Sequence, residues 1–186
     1  PGVYDALAAR LAERAGFSAA YISGASVPYT LLGRPDLGFV SLSQLAEAVE
    51  RMRQRVKIDL IVDADTGFGN ALNIKRTVKG YAEAGFACIM LEDQIAPKRC
   101  GHTRGKSVVV RDEAEMRIRA AVETREEGAD ILIMARTDAR ASLGLEEAID
   151  RCKTFRDLGA DITFLEAPES EQEMKRYCSE VSGAKM

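Results

Sequence analysis

Residues 60–93 read LIVDADTGFGNALNIKRTVKGYAEAGFACIMLED. The stretch opens on the apolar run Leu60-Ile61-Val62, which ends in Asp63. It closes on a second apolar run, Phe86 to Leu91, which ends in Glu92-Asp93. Between the two, Asn70 can cap a helix whose Ile74, Val78 and Tyr81 share a face, and Gly85 supplies a left-handed stop. Strands that are apolar throughout, joined by a helix, belong in a parallel sheet covered on both faces. Asp63 and Glu92 then stand at the carboxyl ends of neighbouring strands.

The same unit recurs to either side. Toward the amino end, Leu7, Leu11 and Ala15 share a helical face closed by Gly16, and Ala19 to Ser23 reads as a buried strand. Ser41 with Gln44 forms a capping box before Leu42, Leu45, Val49 and Met52. Toward the carboxyl end, Asp112 opens a helix through Met116, Ala120 and Glu123 to Gly128, and Ile131 to Ala135 is a strand. Leu145, Ile149, Cys152 and Phe155 mark a helix ending at Gly159; Ile162 to Leu165 is a strand, and Ser170 with Glu173 caps the last helix. Ala15-Gly16-Phe17, Ala84-Gly85-Phe86, Gly128-Ala129-Asp130 and Gly159-Ala160-Asp161 form a weak internal repeat, each closing a helix just before a strand.

Composition narrows the partners. With 46% apolar and 30% charged residues the chain of 186 residues has an ordinary globular balance. A net charge of −3, with basic and acidic residues alternating along the helices, argues against nucleic acid. The apolar runs are strand-sized, so no membrane span is expected, and the opening Pro1-Gly2-Val3 is not that of a signal peptide. Cys88, Cys100, Cys152 and Cys178 show no paired spacing, which fits reduced thiols in a cytoplasmic protein.

Polar residues fall where the strands end: Ser23-Gly24, Asp63 with Asp65, Glu92-Asp93, Arg136-Thr137-Asp138 and Glu166. Parallel sheets place their sites at that rim. Asp63 and Asp65, two apart on an extended segment, point the same way, and with Glu92 they form an acid group that suits magnesium; helix caps and solvated loop acids are the alternative. Arg136 ends an apolar strand and needs an anion, either a substrate carboxylate or an internal acid. Ser23-Gly24-Ala25 offers a hydroxyl and amides to a carboxylate, or is a plain strand-to-loop turn. Tyr21 reads as core and Asp36 as a loop acid before any further argument. In Lys98-Arg99-Cys100-Gly101-His102, two cations and a histidine beside one thiol should activate it. The segment from Gln94 to Val108, rich in Gly, Lys and Arg, reads as a lid.

Tyr21-Ile22-Ser23-Gly24, Pro35-Asp36-Leu37-Gly38, Asp63-Ala64-Asp65-Thr66-Gly67-Phe68-Gly69, Glu92-Asp93-Gln94, Lys98 to His102 and Ala135-Arg136-Thr137-Asp138 occur in the order of motifs found in the isocitrate lyase and phosphoenolpyruvate mutase superfamily, which the chain resembles along essentially its whole length. The Lys98–His102 run resembles the carbon–carbon lyase branches, with 2-methylisocitrate lyase, 2,3-dimethylmalate lyase and oxaloacetate hydrolase the nearest in pattern. The resemblance implies an α/β fold, a (β/α)8 TIM-type barrel, and a magnesium ion, with manganese as the alternative. It implies Asp63, Asp65 and Glu92 as the metal site, and Ser23, Gly24 and Ala25 as a carboxylate cradle. Arg136 is implied as the substrate arginine and Glu166 as an acid of the site wall, with Gly101 and His102 beside the substrate. Asp36 is implied near the metal, Cys100 as the acid that protonates a departing enolate, and Tyr21 in proton removal. The implied reaction is retro-aldol cleavage of a substituted di- or tricarboxylate; oxaloacetate hydrolysis and phosphonomutase chemistry are the rival reactions, and an inactive interaction module is the non-enzymatic one. The implied partners are a small carboxylate substrate and further copies of the chain, as a homotetramer, in the cytoplasm or, with a transit segment, in an organelle. About six strand–helix units are legible where such a barrel needs eight and about 250 residues. Residues 1–186 are therefore expected to be one barrel domain from a longer chain, with Ser182 to Met186 entering the seventh strand.

Overall fold

The computed structural model describes residues 1–101 and 103–186, so His102 lies outside the described residues. Among these residues seven parallel strands form one sheet in chain order: β1 (Gly2–Val3), β2 (Ala19–Ile22), β3 (Asp59–Asp63), β4 (Cys88–Glu92), β5 (Leu132–Thr137), β6 (Ile162–Leu165) and β7 (Ala184–Lys185). Among the described residues eight helices join them: α1 (Ala6–Arg14), α2 (Ser26–Leu32), α3 (Leu42–Arg53), α4 (Ala71–Glu83), α5 (Arg111–Glu126), α6 (Ala139–Leu143), α7 (Leu145–Asp157) and α8 (Glu171–Glu180). The sheet is a curled half-barrel, an incomplete barrel of the TIM type.

The sequence signals act as expected at most element ends. Ser41 and Gln44 close a reciprocal capping box at α3, Asn70 and Asn73 do so at α4, and the Ser170 hydroxyl accepts the Glu173 amide at α8. Gly16, Gly85, Gly128 and Gly159 all carry positive φ, from +86° to +113°, where a side chain would be strained. The chain enters the seventh strand, β7, at Ala184, within the expected Ser182–Met186, and β1 at the other edge is equally short, at two residues. One finding departs from the sequence reading. On α1 it is Ala9 and Ala12 that are buried, while Leu7 and Leu11 are 68% and 57% exposed. The helix packs close to β1, β2 and α3, and small side chains permit that approach.

Strand alternation sorts the core into two faces. Ala20, Ile22, Leu60, Val62, Ile89, Leu91, Ile133 and Ala135 join the helices in the main core. Residues of the opposite parity, Tyr21, Ile61, Cys88, Met90, Met134, Ile162 and Phe164, form a separate cluster on the other face of the sheet. Continuing that second parity to the strand ends gives Ser23, Asp63, Glu92, Arg136 and Glu166. The fold thus aligns the polar rim on one face without any special local device.

Candidate active site

β3 ends at Asp63, and the chain turns at once. Asp65 sits at φ +50°, and its amide donates to Asp63 Oδ1 at 3.0 Å. The two carboxylates are therefore neighbours through a turn rather than through the pleat of an extended segment. The Glu92 amide donates to the Asp65 carbonyl (2.9 Å), which fixes the turn against β4. Gly24 lies directly over it: a Cβ there would stand 2.6 Å from Asp63 Oδ2 and 3.2 Å from Asp65 Oδ1, so only glycine fits. Tyr21, one rung down β2, donates its hydroxyl to Asp63 Oδ2 at 3.2 Å. Burial, reinforced by Asp63, pushes the Tyr21 phenol upward, so the hydroxyl keeps its proton.

Lys98 completes this acid group. Its ammonium is 2.5 Å from Asp36 Oδ1 and 2.7 Å from Asp65 Oδ1, with all three side chains largely buried. Burial opposes the lysine's charge, but Asp65, Asp63, Glu92 and Asp36 outweigh it and raise its pKa. The lysine is therefore directed into the acids and does not serve as a cation for the neighbouring thiol. Asp65 is itself pushed up to about 7, by burial first and then by Asp63, against the pull of Lys98. Glu92 is raised well above the usual carboxylate range, mainly by burial. Neither Glu92 oxygen has a hydrogen-bond donor among the described residues, and Arg136 Nη2 stands 3.5 Å from Oε2.

Arg136 pairs with Glu92 across the β4–β5 register. Its guanidinium is held by an internal acid: Nε and Nη2 donate to Asp138 at 2.9 and 3.1 Å. Nη2 also faces Glu166 Oε2 at 3.5 Å, and the guanidinium lies 5.5 Å over the Phe164 ring. Burial opposes its charge, yet Glu92 and Asp138 keep it firmly protonated. Gly101, next to Cys100 in the chain, comes in against the arginine. A Cβ on Gly101 would meet Arg136 Nη2 at 2.5 Å and Glu166 Oε1 at 2.6 Å, so this glycine is also set by close approach. Ser23 Oγ accepts the amides of Ala25 and Ser26 (3.2 and 3.3 Å), which makes the turn into α2. A cavity of about 180 Å³ is lined by Tyr21, Ser23, Ala25, Asp36, Asp63, Cys100, Gly101, Arg136, Phe164, Glu166 and Met186. Larger hollows exist at the opposite ends of the strands, one of about 740 Å³ around Arg53, Phe86 and Leu132. None of the candidate site residues that the structure describes lines it.

Ten of the thirteen sequence-predicted residues line or contact this cavity's polar floor directly, as Tyr21, Ser23, Ala25, Asp36, Asp63, Cys100, Gly101, Arg136, Glu166 and Gly24 are described above. Asp65 and Glu92 stand beneath them, joined through Lys98 and Arg136. His102 is outside the described residues. Sequence reasoning missed the roles of Lys98, Lys106 and Asp138 as internal counter-ions, because a lysine's reach does not show in its sequence neighbours.

The donor set tests the implied magnesium. As they stand, no three Asp, Glu, Cys or His side chains among the described residues converge closely enough to chelate an ion. The chemistry nevertheless fits: all the donors are carboxylate oxygens, Glu92 carries two buried oxygens without a donor, and Lys98 supplies a positive charge in the same place.

A curled parallel β/α sheet with acids, an arginine and a thiol at the carboxyl ends of its strands defines a TIM-type barrel of the enzymatic kind. The chain belongs to the phosphoenolpyruvate phosphomutase family, whose profile matches residues 1–186, within the phosphoenolpyruvate mutase and isocitrate lyase superfamily. It is 44% identical over 183 residues to 2,3-dimethylmalate lyase of Eubacterium barkeri, covering 98% of this chain and 63% of that protein. It is 45% identical over 181 residues to 2-methylisocitrate lyase of Aeropyrum pernix, covering 97% and 58%. The structure of oxaloacetate acetylhydrolase with 3,3-difluorooxalacetate superposes with a TM-score of 0.94 at 43% identity, over 98% of this chain and 62% of that one. Phosphonopyruvate hydrolase, solved with oxalate and Mg²⁺, superposes at 0.86 and 31% identity, over 99% and 63%. The chain thus spans about three fifths of the length of the relatives it matches. Among the described residues no helix is long and apolar enough to cross a membrane.

Proposed function

We propose that the protein is a magnesium-dependent carbon–carbon lyase that cleaves a 2-hydroxy, 2-methyl-substituted di- or tricarboxylate, of the methylisocitrate or dimethylmalate type, to a 2-oxo acid such as pyruvate. The observation that carries this reading is the convergence of Cys100, Arg136 and the Tyr21–Asp63 pair on one small cavity at the strand ends. Asp63, Asp65 and Glu92 would hold the ion, with Asp36 beside them. When bound, Mg²⁺ supplies Lewis-acid polarisation of a substrate carboxylate and the adjacent oxygen.

The chain's own residues do the rest. Ser23, Gly24 and Ala25 receive a carboxylate, the serine hydroxyl and its turn giving it a polar edge. The substrate hydroxyl gives its proton to the Asp63 carboxylate, which the still-protonated Tyr21 steadies through its hydrogen bond. As that oxygen becomes a carbonyl, the carbon–carbon bond breaks and its electron pair moves into the enolate of the second carboxylate. Arg136, held charged by Asp138 and Glu92, stabilises the developing negative charge. The Cys100 thiol gives its proton to the enolate carbon, and Glu166 and Gly101 form the wall around that carbon.

Oxaloacetate hydrolysis is the second reading, favoured by the close superposition on oxaloacetate acetylhydrolase. We further propose a homotetramer acting in the cytoplasm, the former measurable by light scattering. The deciding experiment is a magnesium-dependent product assay on the full-length protein with methylisocitrate, dimethylmalate, isocitrate and oxaloacetate. Pyruvate from the first two supports the lyase; oxalate and acetate from the last supports the hydrolase. No product from any of the four refutes both. Cys100→Ser should lower kcat by about 10² or more, and parent-like turnover would remove the thiol from the acid role.

A further inference from the structure

Lys106 lies in the segment from Gln94 to Val108, which the sequence reads as a lid with few apolar anchors. Its side chain is instead 2% exposed, and its ammonium makes two contacts of different origin. It donates to the Gly101 carbonyl at 2.6 Å and to Asp138 Oδ1 at 2.9 Å. Asp138 is fully buried and is the same carboxylate that takes Arg136 Nε and Nη2. Burial would raise the Asp138 pKa, but Arg136 and Lys106 together outweigh it, so the group stays ionised between two cations.

From this geometry we infer that Lys106 is a positioning residue, which ties the backbone at Gly101 to the acid that holds Arg136 and so fixes the adjoining Cys100 in the cavity that it lines with the arginine. The inference deepens the lyase reading and rests on it for the meaning of Cys100. Three observations converge. The Gly101 carbonyl has a buried charged donor, and a lysine at hydrogen-bond distance is a strong partner for it. Gly101 is already pressed onto Arg136 and Glu166 so tightly that a Cβ could not enter, so a small shift of its backbone would open the contact. Asp138 has one carboxylate and two clients, so the arginine and the loop cannot move independently. An acid that must reach one carbon of the substrate depends on such fixing, because misplacement by about 1 Å costs rate steeply.

The experiment measures the thiol directly. In the full-length protein with Cys178→Ser, Cys100 is the accessible cysteine of residues 1–186, since Cys88 and Cys152 are buried, and mass spectrometry of its peptide reads its labelling alone. Its reaction with a disulfide reagent is followed in the parent, Lys106→Met and Lys106→Arg, without substrate. Releasing the carbonyl should raise the rate in Lys106→Met about tenfold, the factor set by losing a charge-assisted hydrogen bond. Lys106→Arg, which keeps the charge, should stay within about threefold of the parent. In turnover, Lys106→Met should lose kcat with little change in KM. A rise below about threefold in Lys106→Met, or an arginine variant as reactive as the methionine one, overturns the inference. If Lys106→Met does not fold, Lys106→Gln carries the same test and the same thresholds. The thiol readout needs no substrate, so failure of the lyase reading and failure of this inference are seen separately.

Discussion

Replacing Lys98 by methionine is the most demanding perturbation of the acid group. The ammonium sits 2.5 Å from Asp36 and 2.7 Å from Asp65, and the lysine is 4% exposed. Methionine keeps most of the stem and removes the charge, leaving two carboxylates facing each other out of water. Removing one partner of a buried ion pair costs about 3–5 kcal/mol. For a protein of this size each kcal/mol is worth about 2–4 °C, so the metal-free variant should melt roughly 6–20 °C below the parent. Magnesium reverses the sign of the comparison. In the parent an ion entering among Asp63, Asp65 and Glu92 competes with Lys98 for Asp65; in the variant it meets no rival. A bound ion at a hundred times its dissociation constant stabilises by about 2.7 kcal/mol, so the magnesium-induced rise in Tm should be larger in Lys98→Met than in the parent. Thermal melting followed by circular dichroism, with EDTA and then across a MgCl₂ titration, reads both quantities. A metal-free variant that melts with the parent, or equal magnesium shifts in the two proteins, would refute the placement of Lys98 as the internal counter-ion.

Three further outcomes follow from neighbouring contacts. Gly24→Ala drives a Cβ to 2.6 Å from Asp63 Oδ2; forced overpacking should cost about 1–3 kcal/mol in urea unfolding, and displacing Asp63 from Tyr21 should lower product formation as well. Arg151→Met strips the 3.0 Å ion pair from Asp93, both groups being 2% exposed. Its urea midpoint should fall by an amount equivalent to about 3–5 kcal/mol, and adding Asp93→Asn should recover part of that loss. Glu173, paired with Arg140 at 2.7 and 2.9 Å, is lowered to about 2 from 4.5, chiefly by that hydrogen-bonded arginine. A depressed carboxylate contributes its stability above the unfolded value and loses it as pH falls through the folded one. Glu173→Gln should therefore destabilise the protein at pH 7, by about 0.5–1 kcal/mol given its exposure to solvent, and match the parent near pH 2. A gap between the two proteins that persists at pH 2 would show that the pair is not what stabilises the neutral state.

The rim was legible because strand alternation is a rigid rule. Once Leu60–Asp63 and Phe86–Glu92 are read as neighbouring parallel strands, the parity that buries Val62 and Leu91 against the helices turns Asp63 and Glu92 to the other face. The register then sets Arg136 opposite Glu92 on that face. What could not be read was whatever depends on contact distance rather than direction. On α1 the helical period marks Leu7 and Leu11 as one stripe, but the sheet lies so close that Ala9 and Ala12 take the inner side. On α2 the proline at Pro28 hid a helix that begins only two residues earlier, where the first turn tolerates it. In the loop, Lys98 and Arg99 flank Cys100 in sequence and suggest cations for the thiol. The long lysine stem instead carries the charge of Lys98 away to Asp36 and Asp65.

That displacement gives the loop a structural logic of its own. Lys98 and Lys106 lie on either side of Cys100 and Gly101, and each ends on a different part of the rim. Lys98 reaches the acids that follow β3 and precede α3, while Lys106 reaches Asp138 at the end of β5. Gln94 holds the base of the loop: its side chain accepts the Arg99 amide at 3.0 Å and donates to the Arg99 carbonyl at 2.9 Å. The thiol is therefore fixed between two buried ion pairs that share no residue, and their loss should have separable effects. Removing the Lys98 tether acts first on the acid group and on stability. Removing the Lys106 tether acts first on the thiol and on the Gly101 contact with Arg136. Mutations more than about 7–10 Å apart with no shared partner usually add. If the loop works as two independent anchors, Lys98→Met and Lys106→Met should add in thermal melting, yet only the second should change Cys100 reactivity by the larger factor.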